Sequence, residues 1–182
     1  MKKYAKRKLW ALLTAMMLLL ALPAMAEEET HIDLAPFTGR LLDGTKTDES
    51  LWANADLTMV TVWQTTCNPC IEEMPALQKL YEKGAEKGFQ VVGIALDTLD
   101  LAGKYDKDQI QAARDVLESL GVTFPNLAPS QDLIDAFLGD VFATPSAIFV
   151  DKNGHQVGKM IVGPATYGQW AKQATKHLKT VQ

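Results

Sequence analysis

Residues 57–75 of this chain, LTMVTVWQTTCNPCIEEMP, decide its fold. The first seven residues are mostly β-branched or aromatic, a composition typical of a buried strand. From the second cysteine onward, apolar side chains recur at steps of three and four residues, which predicts a helix with one inner face: Cys70, Met74, Leu77 and Tyr81. The segment therefore predicts a strand that runs directly into a helix, with two cysteines at the junction.

This strand and helix begin a longer pattern. The helix is predicted to stop at Gly84 and Gly88, and residues 89–96 form a second apolar run. Strand, helix and strand within about 40 residues make a βαβ unit, which requires parallel strands. Upstream, residues 37–47 are rich in turn formers, and Asp43-Gly44 predicts a β-hairpin there.

An insertion follows the βαβ unit. Helical spacing over residues 110–120 ends at Gly121, and a second helix, capped by Ser130, is predicted to reach residue 138. Residues 122–127 between them form a short extended piece.

The C-terminal part predicts two strands and a helix. Residues 145–150 form a core strand, and a tight turn at Asn153-Gly154 leads into an antiparallel strand at 156–162. The last helix has an apolar stripe at Tyr167, Trp170, Ala174 and Leu178. The expected fold class is α/β, a central mixed β-sheet flanked by helices, with an N-terminal hairpin and a helical insertion between the βαβ and ββα halves.

The first 26 residues have the three-part order of a secretory signal peptide. Five basic residues lie within the first eight, an apolar run of about 14 residues follows, and Ala24-Met-Ala26 ends the segment. The run is short for a bilayer-spanning helix, which needs roughly 20 residues. We therefore expect an exported protein with cleavage after Ala26, an uncleaved N-terminal anchor being the alternative. Residues 27–36 are expected to be a loose lead-in, and residues 37–182 the folded domain.

Composition and charge exclude several classes of protein. Hydrophobic residues make up 47% and charged residues 22%, which excludes intrinsic disorder and collagen-like repetition. The net charge of −4 becomes −9 without the five basic residues of the signal peptide, and an acidic body argues against nucleic-acid binding. Two cysteines exclude a disulfide scaffold, and with three histidines they leave little material for a structural zinc site.

The remaining histidines and loop acids give weak signals. His31, His155 and His177 lack the spacing of metal ligands, and we expect surface histidines. Asp97 and Asp100 are expected to be solvated charges of a surface connection.

The chemistry is expected at Cys67 and Cys70. A helix N-terminus offers free N–H groups and a positive dipole end, and both favour a thiolate. Cys67, at the strand–helix corner, is predicted to be the exposed nucleophile, and Cys70, one turn further, the buried resolving thiol. A structural disulfide is the alternative, but closing a loop of about four residues contributes only roughly 1.9 kcal/mol in the chain-entropy model. A metal site with a remote histidine is a further alternative.

The segment from Trp63 to Pro75 resembles the active site of the thioredoxin superfamily, and more narrowly that of exported TlpA/ResA-like thiol-disulfide oxidoreductases. Trp63 stands four residues before the first cysteine, and Pro75 stands five after the second, where the family's helix kinks. Residues 143–146, Ala-Thr-Pro-Ser, match the family's cis-proline loop, and residues 151–154 match the turn that follows. The likeness covers residues 37–178 and implies a thioredoxin-like fold.

The resemblance also implies roles for individual residues. Thr144 and a cis Pro145 would lie beside the cysteines, where the Thr144 backbone pairs with an extended substrate. Glu73 would shuttle a proton to or from the resolving thiol of Cys70. The alternative is that Glu73 is a solvated surface acid like Glu72. Four further residues are expected to contact or shield the substrate site: Trp63, Thr66, Asn68 and Pro69. For Trp63, a plain core position is an equal alternative.

Two departures from the family pattern affect these roles. Thioredoxin has a buried acid on the strand before its site, where this chain has Thr61, which shifts proton handling towards Glu73. The family usually has an aromatic residue directly before the first cysteine, where this chain has Thr66. Partner choice is therefore expected to differ, whereas the exchange chemistry is not.

The resemblance implies an extracytoplasmic thiol-disulfide oxidoreductase that reduces disulfides of partner proteins. Apo-cytochromes before haem attachment or methionine sulfoxide reductases are the expected partners, and a membrane thiol transporter is the expected electron donor. The chain is expected to act as a monomer, without a cofactor other than the redox-active disulfide. The alternatives are a thioredoxin-like metal-delivery or chaperone module and a thiol peroxidase.

Overall fold

The computed structural model of the chain describes residues 32–182; the predicted signal peptide and residues 27–31 of the lead-in lie outside the described residues. The described part contains a mixed sheet of seven strands in the order β2-β1-β5-β4-β3-β6-β7. The strands are β1 (Thr38–Leu41), β2 (Lys46–Asp48), β3 (Leu57–Trp63), β4 (Phe89–Ala95), β5 (Asn126–Ala128), β6 (Ser146–Asp151) and β7 (Ile161–Val162). The helices are α1 (Asn68–Gly84), α2 (Lys107–Ser119), α3 (Gln131–Ala136) and α4 (Tyr167–Val181). The expected α/β class is thereby confirmed.

Strand β3 lies at the centre of the sheet, parallel to β4 and antiparallel to β6. All seven of its residues are buried, because both faces of the sheet are covered. On one face, Leu57 and Met59 pack with residues of α1, α2 and α4. On the other face, Val60 and Val62 pack with Trp52 and with residues of α3. The apolar, β-branched sequence of β3 follows from this double burial.

The N-terminal hairpin is confirmed, with Thr38 opposite Asp48 and the turn completed by Gly44 at φ 92°. We expected residues 27–36 to be a loose lead-in, but the end of this segment is ordered against the folded domain. Leu34 is buried, its N–H donates to Gly154 O at 2.9 Å, and its carbonyl accepts from the Trp52 indole at 3.1 Å. Residues 32–36 therefore pack against the domain.

The insertion contributes a strand as well as helices. The predicted extended piece ends in β5, which pairs with β4 in parallel and with β1 in antiparallel orientation. It thereby joins the hairpin to the central sheet. The helix predicted from Ser130 to residue 138 ends at Ala136, followed by a 3-10 turn over Leu138–Asp140. Among residues 32–182, no helix is long and apolar enough to cross a membrane.

The predicted strand at 156–162 is shorter than expected. Only Ile161 and Val162 form β7, whereas Gly158 has φ 80° and interrupts the extended chain. A side chain at Gly158 would collide with the His177 ring, since an added Cβ would lie 2.4 Å from its Cε1. His177 is therefore not the surface histidine that we expected: it is buried, with its ring 4.9 Å from that of Phe149.

Candidate active site

The two cysteines lie where β3 passes into α1. Cys67 is the N-cap residue of the helix, with φ −89° and ψ 95°, and its Sγ accepts a hydrogen bond from Cys70 N at 3.3 Å. Pro69 occupies the first helical turn, where a backbone N–H is not needed and its fixed φ suits the helix. One backbone N–H at the start of the helix, that of Cys70, is therefore directed at the first sulfur.

Cys67 and Cys70 form a disulfide with their Cα atoms 5.3 Å apart. The two residues differ in exposure: Cys67 is half-buried, whereas Cys70 is only 1% exposed. A reagent in solution can thus reach one sulfur and is kept from the other. This is the arrangement that the division into attacking and resolving thiols requires.

The loop around Pro145 lies beside the first cysteine. The Thr144–Pro145 peptide bond is cis, and Thr144 O lies 3.5 Å from Cys67 Sγ. The Thr144 hydroxyl donates to Gln64 Oε1 at 3.2 Å, which ties the loop to the segment before the cysteine. On its other side, Gly163 N donates to Pro145 O at 2.8 Å. The loop is therefore fixed on two sides, by Gln64 after β3 and by Gly163 after β7, and it lies next to Cys67.

Glu73 lies on α1, three residues after Cys70, and is 5% exposed. Its Oε1 accepts hydrogen bonds from Ala165 N at 2.8 Å and from the Trp170 indole N–H. Burial raises the pKa of the Glu73 carboxyl, and these two hydrogen bonds only partly oppose the rise. Glu73 thus differs from its exposed neighbour Glu72, and its carboxyl also joins α1 to the start of α4.

Not all predicted substrate residues reach the surface. Thr66, Asn68 and Pro69 are exposed around the cysteines. Trp63, in contrast, is fully buried, and its indole donates to Asn126 Oδ1 at 2.9 Å. The expectation that Trp63 contacts the substrate is therefore wrong for this structure. Its side chain is a core group, because the sheet face on which it lies is covered by helices.

Gly93 on the neighbouring strand makes room for this buried hydrogen bond. It pairs with Thr61 in the parallel ladder, and a Cβ at Gly93 would lie 1.9 Å from Asn126 Oδ1. Thr61, at the position where thioredoxin has an acid, is also buried. The strand before the site therefore carries no ionisable group under the cysteines.

Asp97 does not extend into solvent as we expected of a loop acid. Its Oδ2 accepts from Thr65 N at 2.8 Å and from Thr65 Oγ1 at 2.6 Å. Its Oδ1 is buried and has no hydrogen-bond partner among residues 32–182. Asp97 thus fixes the segment directly before Cys67 and is no solvated loop charge. The signal that could have found it is its place just after β4, since the carboxyl ends of parallel strands meet at one edge of a sheet.

The fold and this geometry define a thioredoxin-like protein with a CxxC redox motif: a half-exposed and a buried cysteine start a helix, next to a cis-proline loop. The chain belongs to the AhpC/TSA family, whose model matches residues 33–157.

Among curated proteins, the chain is 31% identical over 108 residues to thiol-disulfide oxidoreductase ResA of Bacillus thuringiensis (strain Al Hakam). The match covers 59% of this chain and 55% of the relative, so the chain spans about half the length of the curated relatives it matches.

Solved structures confirm the thioredoxin-like fold. A thiol:disulfide interchange protein of the thioredoxin family from Chlorobium tepidum TLS superposes with a TM-score of 0.66 at 24% identity, covering 81% of this chain and 97% of that one. StoA from Bacillus subtilis gives a TM-score of 0.59 at 20% identity, covering 77% and 96%.

Proposed function

We propose that this protein is a thiol-disulfide oxidoreductase that reduces disulfides of partner proteins outside the cytoplasm. The observation that carries the proposal is the Cys67–Cys70 pair at the start of α1, with one sulfur accessible and the other buried. The names of the curated relatives support it, since they are thiol-disulfide oxidoreductases.

The first step forms a mixed disulfide. In the reduced protein, the Cys67 thiolate attacks one sulfur of the partner's disulfide, and the partner's other sulfur leaves as a thiolate that takes up a proton. The N–H of Cys70, 3.3 Å from Cys67 Sγ, stabilises negative charge on the attacking sulfur. The nearby Thr144 carbonyl accepts a backbone hydrogen bond from the partner segment and aligns it for attack.

The second step releases the partner. Cys70 loses its proton and attacks Cys67 Sγ, which closes the Cys67–Cys70 disulfide and releases the partner's second sulfur as a thiolate that takes up a proton. Two electrons and two protons have then passed to the partner. Because Cys70 is buried, its proton needs an acceptor inside the protein, and we assign this role to Glu73, three residues along the same helix. The pKa of the Glu73 carboxyl is raised and is therefore closer to the pKa of a thiol, which favours proton transfer from Cys70.

The proposal also includes an electron donor and electron acceptors for the cysteine pair. A membrane dithiol transporter resets the Cys67–Cys70 disulfide, and apo-cytochromes before haem attachment or methionine sulfoxide reductases consume the electrons. No bound cofactor is needed, since the cysteine pair itself carries the two electrons, and the protein acts as a monomer. Export follows from the signal-peptide order of residues 1–26.

A trapping experiment tests this function. Without its resolving thiol, Cys70→Ala should accumulate partners as mixed disulfides on Cys67, whereas Cys67→Ala should trap none. The wild-type protein, once reduced, should also reduce the disulfides of insulin.

Failure to trap through Cys67, together with no reduction of insulin, would contradict the proposal. Rapid consumption of hydrogen peroxide by Cys67 without disulfide exchange would favour a thiol peroxidase instead. Stoichiometric copper binding without thiol turnover would favour a metal-delivery module.

A further inference from the structure

Large hydrophobic side chains are exposed at four positions within residues 32–182, and two of them flank the cis-proline loop. Phe142 is 83% exposed and precedes Thr144 by two residues. Val162 is 45% exposed and pairs with Ser146 in the β6–β7 ladder, next to Pro145. The other two, Leu101 and Tyr105, lie on the loop that follows β4. Since β4 and β6 lie on opposite sides of β3, the two pairs are on different sides of Cys67.

The two chain segments next to the reactive sulfur carry no charged side chain of their own, and the nearby Asp97 carboxyl is bound to Thr65. Neither residues 64–70 nor residues 141–146 include an acidic, basic or histidine side chain. The chain as a whole has 22 acidic and 18 basic residues, so these two adjoining segments stand out. An acidic partner segment would lose hydration here without gaining an ion pair, because neither segment has a basic side chain, whereas an apolar one would gain burial.

Phe142 lies within reach of any polypeptide that reaches Cys67. Two residues span at most about 7 Å of chain, so the backbone of Phe142 is close to that of Thr144. Thr144 O is in turn 3.5 Å from Cys67 Sγ. An exposed aromatic side chain therefore starts from the backbone close to the point where a partner segment would present its disulfide to Cys67.

We propose that Phe142 is a specificity-determining residue that binds an apolar side chain next to the attacked cysteine of the partner. The inference rests on the proposed function and adds the chemistry of the partner: an extended, uncharged, apolar segment around its disulfide. Aromatic rings are the residues that most often anchor such contacts. Phe142 thereby supplies the exposed aromatic surface that Thr66, directly before the cysteine, does not offer.

The test uses two synthetic peptides of equal length, each closed by one disulfide. One has leucine and the other has aspartate next to the cysteines. The ratio of kcat/KM for the leucine peptide to that for the aspartate peptide is measured with reduced wild-type protein, Phe142→Ala and Leu101→Ala. Leu101 is a matched control, because it is fully exposed and lies on the other side of β3.

Wild type and Leu101→Ala should prefer the leucine peptide by about tenfold, and Phe142→Ala should lower this ratio to about two or less, the loss of one aromatic anchor. An unchanged ratio in Phe142→Ala overturns the inference, as does an equal loss for both peptides. It is also overturned if sedimentation shows that Phe142 holds two copies of the chain together and the peptide ratio does not depend on it. If wild type reduces neither peptide nor insulin, the proposed function itself fails, and this inference fails with it.

Discussion

Cys67 Sγ lies 3.5 Å from the carbonyl oxygen of Thr144, although 77 positions separate the two residues in the sequence. The sheet brings them together, because β3 and β6 are antiparallel neighbours with Val62 opposite Ser146. The end of one strand therefore meets the start of the other, and the two loops share an edge. The accessible sulfur and the backbone of the cis-proline loop are thus adjacent as a consequence of strand order.

Glu73→Gln should slow the release of trapped partners. Glutamine can still accept the hydrogen bonds of Ala165 and Trp170 but cannot take the proton of Cys70. General-base catalysis typically contributes about 100-fold or more, and we expect the mixed disulfide to resolve more slowly by about that factor. Stopped-flow measurement of partner release from the mixed disulfide reports this rate.

Glu72→Gln is the matched control for this variant, because Glu72 precedes Glu73 on the same helix but is exposed. It should resolve the mixed disulfide at the wild-type rate. Equal rates for all three proteins would show that Glu73 is only a structural link between α1 and α4.

Glu73→Gln should also change the dependence of stability on pH. Burial raises the pKa of Glu73 in the folded protein, so the folded chain holds this proton more tightly than the unfolded chain. The unfavourable burial of charge is therefore absent below the ordinary carboxyl pKa and fully present above the raised one. The free energy of unfolding of Glu73→Gln, relative to wild type, should thus increase from acidic to neutral pH in urea titrations. A difference that is constant with pH contradicts this expectation.

Asp97→Ala should loosen the segment before Cys67. It removes both hydrogen bonds to Thr65, and bonds to charged groups contribute about 1.5–3 kcal/mol each when they are shielded. Because Asp97 is only half-buried, we expect a total loss of about 2 kcal/mol in urea unfolding, with slower trapping by Cys67. Thr65→Val removes only the hydroxyl bond and should lose less. If Asp97→Ala keeps the stability and the trapping rate of wild type, the hydrogen bonds between Asp97 and Thr65 do not influence Cys67.

Gly93→Ala should be one of the more damaging small substitutions in the core. The added methyl would overlap Asn126 Oδ1 and break the hydrogen bond between Trp63 and Asn126. Because this combines overpacking with the loss of a buried hydrogen bond, we expect the free energy of unfolding to fall by about 2–3 kcal/mol. Gly168→Ala is the control: it lies in α4 with no neighbouring atom within 4 Å of an added Cβ, and it should stabilise by about 0.5–1 kcal/mol. Equal melting temperatures for the two variants would contradict the packing described for Gly93.

The local elements of the fold could be predicted because their signals lie within the elements themselves. The predicted bounds of β3 are those observed, and α1 ends at Gly84 as expected, since a run of β-branched and aromatic residues and a glycine stop are short-range features. The placement of the two cysteines at the helix start follows from the same signals. The cis bond at Pro145 was expected from the family resemblance, and the structure has it.

What the sequence could not supply are contacts made by neighbours distant in the chain. The role of Asp97 depends on β4 lying next to β3, and the burial of His177 depends on Phe149 and Gly158 packing against its ring. Trp63 could equally well have shielded the thiols or filled the core, and only the position of Asn126 decides between these. His177 and Trp63 need helix placement and strand order that residue patterns do not specify, whereas for Asp97 the predicted parallel βαβ unit was a usable signal.

Limited alkylation of the reduced protein tests the central claim most directly. The account requires that Cys67 is the reachable sulfur and that Cys70 is protected behind it. Brief treatment with iodoacetamide at neutral pH, followed by peptide mass spectrometry, should place the label on Cys67 at least about tenfold faster than on Cys70. Labelling of Cys70 at an equal or higher rate would contradict the account.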